Sequence, residues 1–399
     1  MKPAFLAFPI LAAFCFGGCD VPVEHFPPND LHALVVSTSR DVPTELAAAD
    51  TTAAVESWFG TPMEPRWPAD QLSSEQAKSL VDPQNLERAA GPVYSDKDNR
   101  HFGLFNEHCV TCHGVSGGGN GPASLLQNPY PRDFRAGVYK WKSTARASKP
   151  TRADLVSILL HGAPGTGMPS FGQIATEDLE ALVDYVIFLS VRGEFERRLI
   201  YDAVDELGYE DTRPEEDASL LSLIDGGDTD AADLARETID RIAKSWVDAD
   251  QQVVEVPDET ADDAESVERG RELFHGKIAS CVGCHGKEGV ADLETLDFDD
   301  WTKEFTTRLS ITPSDRDAVK PFRQAGALRP RQIHPRRLSD GVYRGGGDSE
   351  SLYRLLITGV AGSPMPGVVL ANDPAAIGLT SDQVWDLVHY VRSVDGADR

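Results

Sequence analysis

The chain of 399 residues contains six cysteines, and four of them occur in two identical five-residue patterns. The first pattern runs from Cys109 to His113 and the second from Cys281 to His285. In each, two residues separate the cysteines and a histidine follows the second cysteine directly. Five residues span little more than one helical turn, so two thiols and one imidazole lie close together in any local fold. Whatever fold the chain adopts must accommodate this arrangement twice.

Cys-x-x-Cys-His is the attachment signature of c-type haem. The two thiols reach the two vinyl groups of one porphyrin, and the histidine binds its iron. A zinc site built from both cysteine pairs would separate them by about 15–20 residues, whereas 168 residues lie between Cys112 and Cys281. A thioredoxin-like motif does not require the histidine, and disulfides remain the other interpretation. The patterns predict two covalently bound haem c groups, attached through Cys109, Cys112, Cys281 and Cys284, with His113 and His285 as axial ligands of iron.

Two of the four methionines follow the cysteine motifs. Met168 lies 55 residues after His113, and Met365 lies 80 residues after His285. Each precedes a proline in a loop that contains glycine, which favours an irregular backbone over a helix. A thioether suits haem iron opposite histidine and raises the reduction potential. We predict Met168 and Met365 as the second axial ligands; His161 is the nearest alternative to Met168.

The regions around both motifs, residues 95–195 and 266–396, resemble the class I cytochrome c family. An aromatic residue precedes each motif, Phe105 in the first region and Phe274 in the second. After each methionine, apolar residues recur at helical spacing around a tyrosine, which predicts a final amphipathic helix. The resemblance implies an all-α fold and His/Met-ligated haem in each region.

The two regions also read as copies of one another. Gly137-Val-Tyr matches Gly341-Val-Tyr at an offset of 204, whereas the cysteine motifs are offset by 172. The second copy therefore carries about 32 additional residues after its motif, a single duplication rather than a short-period repeat. We predict two tandem cytochrome c-like helical domains at residues 93–198 and 266–399.

Both copies place an arginine after a proline, Arg132 and Arg336. The carboxylates of a buried haem need hydrogen-bond donors, and the planar guanidinium group suits them. Hydroxyl and indole groups supply further donors nearby. We predict contacts to the haem propionates from Arg132, Tyr139, Trp141, Arg336 and Tyr343; for the arginines, surface positions beside proline turns are the alternative.

Residues 1–18 have the features of a signal peptide. Met1-Lys2 precedes an apolar run from Ala4 to Phe16, which is shorter than the roughly 20 residues of a membrane span. Phe16-Gly-Gly-Cys19 resembles a bacterial lipoprotein box, which implies lipidation of Cys19 and a membrane anchor on the periplasmic side. An ordinary cleaved signal peptide and an uncleaved anchor are the alternatives.

The segments outside the two domains are predicted to be connective. Residues 19–92 are rich in proline, alanine and acidic residues, which predicts an extended N-terminal spacer that tethers the haem domains. Residues 199–265 are predicted to form an acidic linker, since residues 201–265 contain 22 Asp and Glu against 4 Lys and Arg. The other interpretation is an acidic docking surface for a cationic partner.

The net charge of the chain and the predicted iron ligands together limit the classes of function that the protein can have. A net charge of −26 offers no basic surplus for nucleic acid and favours cationic redox partners. Filled axial positions leave no iron open to substrate, so we predict no catalytic residues and one-electron transfer by an extracytoplasmic carrier in or beside a respiratory chain. A di-haem peroxidase, which needs an open iron, and a cytochrome subunit of a periplasmic dehydrogenase or terminal oxidase are the alternatives.

Overall fold

The computed structural model describes residues 23–291, 297–371 and 377–394, so the predicted signal peptide and Cys19 lie outside the described residues. Within these ranges helices carry nearly all the regular structure, which confirms the all-α fold class. One antiparallel hairpin pairs β1 (Tyr94–Ser95) with β2 (His101–Phe102). No helix in the described ranges is both long enough and apolar enough to cross a membrane.

Sixteen α-helices occur in the described residues, several of them a single turn long. In chain order they are α1 (Asp30–Arg40), α2 (Glu45–Phe59), α3 (Glu75–Lys78), α4 (Pro83–Ala89), α5 (Leu104–His108), α6 (Val110–His113), α7 (Arg152–His161), α8 (Thr176–Asp205), α9 (Ser222–Asp225), α10 (Asp230–Val247), α11 (Ala264–His275), α12 (Val282–His285), α13 (Asp300–Leu309), α14 (Arg316–Gln324), α15 (Ser349–Thr358) and α16 (Ser381–Ser393).

The 30-residue helix α8 is the centre of the first domain. Its side chains are buried on most sides, because α2, α4, α7 and α10 pack around it. Apolar residues with good helix propensity continue around α8 rather than along one stripe, as expected for a helix that is enclosed by others. Leu182, Tyr185 and Phe188 contribute to the core on which the first cysteine motif rests.

Residues 23–92 differ from the predicted extended spacer. Helices α1 and α2 pack against α8, and Val55 and Phe59 are fully buried. The Trp58 ring stacks on Phe195 with 5.2 Å between ring centroids. Alanine explains the difference, because it is both the strongest helix former and a residue that is commonly buried. This segment therefore belongs to the core of the first domain.

The predicted acidic linker, residues 199–265, is also folded in large part. Helix α8 continues into it as far as Asp205, and α10 packs on α8. On α10, Ala235, Ile239 and Trp246 are buried while acidic residues face outward. Net charge is a poor guide here because an amphipathic helix carries its charges on one face only. Helices α9 and α10 correspond to the apolar stretches inside this segment.

The second domain is built mainly from α11, α15 and α16, with a core that includes Phe274, Trp385 and Val388. Gly270 lies where α11 and α16 approach most closely, since a Cβ atom there would be 1.9 Å from the Asp386 carbonyl oxygen. Glycine is thus required at this position by packing.

The additional residues of the second copy join the two domains. Helices α13 and α14 carry Phe305 and Phe322, which pack together with Leu31 of α1 and Tyr130 of the first domain. The Trp301 indole nitrogen donates to the Pro131 carbonyl oxygen at 3.2 Å. Burial of these apolar side chains stabilises the contact between the domains.

Candidate functional site

The first cysteine motif borders a cavity that is partly open to solvent. Cys109, Cys112, His113 and Met168 all line it, and aliphatic and aromatic side chains form most of the wall. The cavity therefore brings together the two thiols, the imidazole and the thioether that the sequence predicts for one haem.

Helix α6 presents His113 to this cavity in a fixed orientation. Its Nδ1 lies 3.1 Å from the Arg132 carbonyl oxygen, and its ring stacks on Phe134 with centroids 4.5 Å apart. A carbonyl oxygen accepts a hydrogen bond, so Nδ1 carries the proton and Nε2 is left available as the predicted ligand atom. Burial lowers the pKa of His113 to about 4, which keeps the imidazole in the neutral form that binds iron.

The loop that carries Met168 is held by its own hydrogen bonds. Ala163 N donates to the Met168 carbonyl oxygen at 3.1 Å, and Met168 N donates to the Thr166 hydroxyl at 3.1 Å. Gly162 and Gly165 have φ values of +68° and +69°, a region that glycine adopts without strain. The loop is thus a closed, specific turn that delivers the thioether to the cavity wall.

The second motif repeats the proximal arrangement. His285 Nδ1 lies 3.0 Å from the Arg336 carbonyl oxygen, which again leaves Nε2 available as the predicted ligand atom. Burial lowers the pKa of His285. Cys281 packs against the core of the second domain, whereas Cys284 is exposed. The thiols of the second motif therefore lie nearer to solvent than those of the first.

The Met365 loop has the same hydrogen bonds as the Met168 loop. Val360 N donates to the Met365 carbonyl oxygen at 3.1 Å, and Met365 N donates to the Ser363 hydroxyl at 3.3 Å. Gly359 and Gly362 have φ values of +64° and +66°. Met365 packs on the same apolar cluster as Cys281. Axial ligation by the two methionines stays a prediction, and the shared loop geometry supports it equally at both sites.

Three of the predicted propionate contacts lie around the first cavity. The side chains of Arg132, Tyr139 and Trp141 form part of its wall. Arg132 also donates to Asp300 of α13 at 2.8 Å, and the Tyr139 hydroxyl bonds to Ser190. Burial raises the pKa of Tyr139, so its hydroxyl stays protonated. Arg132 thus has two observed roles, one through its carbonyl and one between the domains, and its propionate contact stays a prediction.

Arg336 and Tyr343 lie around the second site. The Arg336 guanidinium group donates to the Val342 carbonyl oxygen at 3.2 Å, and the Tyr343 hydroxyl donates to the Val391 carbonyl oxygen at 3.0 Å. Within the described residues, Arg336 Nε is buried without a hydrogen-bond partner. An unpaired buried donor fits a carboxylate acceptor of the kind that a haem supplies.

Two basic residues near the sites were not predicted from the sequence. Lys140 lines the first cavity, and burial lowers its pKa to about 8. For Arg344, burial and the neighbouring Arg336 lower the pKa to about 10. Each directly follows the tyrosine of a Gly-Val-Tyr sequence, and the two copies of that sequence are 204 residues apart. This repeat could have identified both residues from the sequence. Buried positive charge beside both sites fits anionic groups of a cofactor.

The two sites adjoin each other. A Cβ atom at Gly345 of the second domain would lie 2.8 Å from the ring of Trp141, which lines the first cavity. In the other direction, a Cβ at Gly165 would lie 3.0 Å from the Arg336 guanidinium group. Residues on or next to one site therefore lie close to residues next to the other.

His161, the alternative to Met168, lies at the exposed end of α7, where its Nδ1 is 2.9 Å from the Ser157 carbonyl oxygen. It is absent from the cavity lining, so its position favours Met168. His108 does line the cavity, and its ring packs 6.0 Å from that of Phe171. This histidine lies one residue before the motif rather than opposite His113 in the Met168 loop.

Comparison with known proteins gives two family matches. Residues 98–186 match the family described as cytochrome c oxidase, cbb3-type, subunit III, and residues 267–395 match the family described as cytochrome c. Each range contains one cysteine motif and one of the two loop methionines. A search of curated proteins finds no match. A chain of the reducing HAO-like protein complex of Kuenenia stuttgartiensis is similar at 22% identity with a TM-score of 0.45, over 73% of this chain and 94% of that chain.

Proposed function

The chain is a di-haem c-type cytochrome with two tandem cytochrome c domains, and we propose that it is an extracytoplasmic carrier that passes single electrons through two His/Met-ligated haems. The two domains hold two covalently bound haem c groups with iron, and such domains perform electron transfer. The location, the methionine ligands and a place in or beside a respiratory chain are the finer parts of this proposal.

The observation that carries the proposal is the repetition of one Met-loop geometry in both domains. Each loop fixes its methionine by the same two hydrogen bonds, and the first places Met168 in the cavity that also contains His113. Haem supplies the Fe(III)/Fe(II) couple, and two protein ligands on each iron leave no position for a substrate. The protein contributes the ligands, their orientation and the exclusion of water.

The residues around each site support a carrier in further ways. The Arg132 and Arg336 carbonyl groups fix the proximal histidines, which keeps ligand geometry constant when an electron is gained or lost. The contact of Trp141 with Gly345 brings the two sites together, as an internal relay between the haems requires. A di-haem peroxidase needs an iron that becomes open, and a methionine at both sites argues against it.

Partners and location form a separate part of the proposal. The net charge of −26 favours a cationic donor or acceptor. The first family is described as an oxidase subunit, which supports a role in or beside a respiratory chain, including that of a subunit. We place the protein at the periplasmic side of a membrane, anchored through a lipid on Cys19. Cys19→Ser is expected to release the protein from membranes while leaving haem content unchanged; retention of that variant on membranes would contradict the anchor.

The central experiment uses the full chain, matured in a host that attaches haem c. We expect two covalent haems per chain, an iron–thioether absorption band from both, and no rapid consumption of hydrogen peroxide by the reduced protein. Met168→Ala and Met365→Ala should each keep both haems, remove about half of the thioether band and lower one of the two potentials. Rapid peroxide turnover, or a band that neither substitution reduces, would overturn the proposal.

A further inference from the structure

A side chain of the first domain binds the Met365 loop of the second domain. Arg146 donates from Nη1 to the Met365 carbonyl oxygen at 2.8 Å and from Nη2 to the Ser363 carbonyl oxygen at 2.9 Å. Its Nη1 also lies 3.4 Å from the Thr358 carbonyl oxygen. We propose that Arg146 is a positioning residue that holds Met365 on the second haem iron, an inference that rests on the proposed ligand role of Met365.

The chemistry of these acceptors explains why an arginine lies there. Thr358 is the last residue of α15, where carbonyl groups lack helical partners and carry partial negative charge. Ser363 and Met365 belong to the turn that follows. A planar guanidinium group donates in several directions at once, so one side chain joins the end of the helix to both sides of the turn. The position of the thioether then depends on a residue outside its own domain.

Arg146 is also attached, through the backbone beside it, to the segment that leads into the second domain. Residues 143–145 pair with residues 252–254 through two hydrogen bonds of 2.9 Å. Arg354 of α15 donates from Nε to the Val254 carbonyl oxygen at 3.1 Å. Helix α15 runs directly into the Met365 loop, so the segment at 252–254 holds both Arg146 and the helix that carries the loop. The contact is therefore fixed at both of its ends.

The Met168 loop provides an internal comparison. It makes the same backbone hydrogen bonds, yet among the described residues no guanidinium group donates to its carbonyl oxygens. Met168 packs on the large core of the first domain. After Met365 the chain is exposed at Val369 and Leu370, which are 67% and 37% exposed. Met365 packs on the smaller core of the second domain, and its loop is the one that receives the arginine.

The test measures the iron–thioether band of each methionine separately. In Met168→Ala protein the remaining iron–thioether band reports Met365, and in Met365→Ala protein it reports Met168. Imidazole competes with the methionine for iron, so the imidazole concentration that removes half of the band measures how firmly the loop holds its ligand. Full-length holoprotein is used throughout, with haem content and far-ultraviolet circular dichroism as checks of folding; Arg146 is exposed, so its replacement leaves the core intact.

In the Met168→Ala background, Arg146→Ala is expected to lower this imidazole concentration about tenfold, as the loss of one or two hydrogen bonds implies. Arg146→Lys should restore part of the difference, since lysine donates but lacks the planar fork. In the Met365→Ala background, Arg146→Ala should change nothing. Arg331→Ala is the matched control, because Arg331 also crosses the domain boundary, to the Gln127 carbonyl oxygen, and should leave the Met365 band unaffected.

Two results separate the possible failures. If Arg146→Ala leaves the Met365 band as resistant to imidazole as before, or weakens both bands equally, the positioning role is wrong while the electron carrier stands. If Met168→Ala protein shows no thioether band at all, Met365 is not a ligand, and that part of the proposed function fails together with this inference.

Discussion

The two haem domains share their ligand frames and differ in what surrounds them. In the first, Cys109 is 9% exposed, and the core extends from Phe26 in the N-terminal segment to Trp246 on α10. In the second, Cys284 is exposed, and three helices supply most of the core. Segments outside the duplicated region enlarge the core on which the first site rests. The comparison shows that equivalent ligand geometry has been retained in two environments of different burial.

A second difference lies in the interdomain contacts. The second domain contributes α13 and α14, which pack on the first domain, and the first domain contributes Arg146 to the Met365 loop. The additional residues of the second copy thus serve docking rather than the haem site. The smaller core of the second domain relies on this docking, because apolar area buried between the domains adds to what it buries alone.

The substitution with the largest expected effect, Gly270→Ala, tests whether the second domain unfolds independently of the first. Gly270→Ala would put a Cβ atom 1.9 Å from the Asp386 carbonyl oxygen, so α11 and α16 must separate. We expect a loss of about 4 kcal/mol in the unfolding free energy of the second domain, measured by thermal unfolding with separate haem absorbance signals. Gly227→Ala is the control, since the nearest atom to its added Cβ is 3.6 Å away. Equal loss at both haems would show that the domains unfold as one unit.

The second-largest expected effect is a weakening of the contact between the domains at acidic pH. His32 of α1 bonds to the Arg197 carbonyl oxygen at 3.0 Å and lies 3.6 Å from Glu304 of α13. Burial lowers the pKa of His32 from 6.5 to about 4. Between these values the unfolded chain binds more protons, so stability is fully present above pH 6.5 and falls as the pH drops toward 4.

The expected loss is about 3 kcal/mol over that interval, measured by chemical denaturation at several pH values. His32→Gln keeps an amide donor for the Arg197 carbonyl oxygen but does not titrate. The unfolding free energy of this variant should therefore lack the loss of about 3 kcal/mol between pH 6.5 and 4. An unchanged pH profile in this variant would assign the acid sensitivity to other groups.

The parts of this molecule that the sequence predicts are those whose chemistry is local. The haem cysteines and histidines lie within five residues of one another, and the methionines are marked by their Gly/Pro loops. The packing of residues 23–92 into the core of the first domain was missed because alanine-rich helices resemble a spacer in composition. Arg146 could not be predicted, since its partner Met365 lies 219 residues away and nothing in the local sequence joins them.

Burial should also separate the two reduction potentials. A less polar environment disfavours the more positively charged ferric state, so the more enclosed first haem is expected to have the higher potential. We expect a difference of about 60 mV or more, which corresponds to a tenfold preference for the electron. Redox titration of the wild-type chain, with Met168→Ala and Met365→Ala to assign the two waves, measures it. A higher potential at the second haem would contradict this expected order of the potentials.

The smallest effect comes from making one site resemble the other. Phe134 stacks on His113, while Leu338 occupies the same place in the second copy: each donates its backbone N–H to the corresponding glycine, Gly117 or Gly289, at 2.8 and 2.7 Å. Phe134→Leu therefore changes one side chain and keeps the backbone frame. We expect a loss of about 1 kcal/mol in the first domain and a first-haem potential that moves toward that of the second, read by thermal unfolding and redox titration. The reciprocal Leu338→Phe should move the second potential upward, and if neither potential shifts, the difference between the sites arises from the enclosing helices alone.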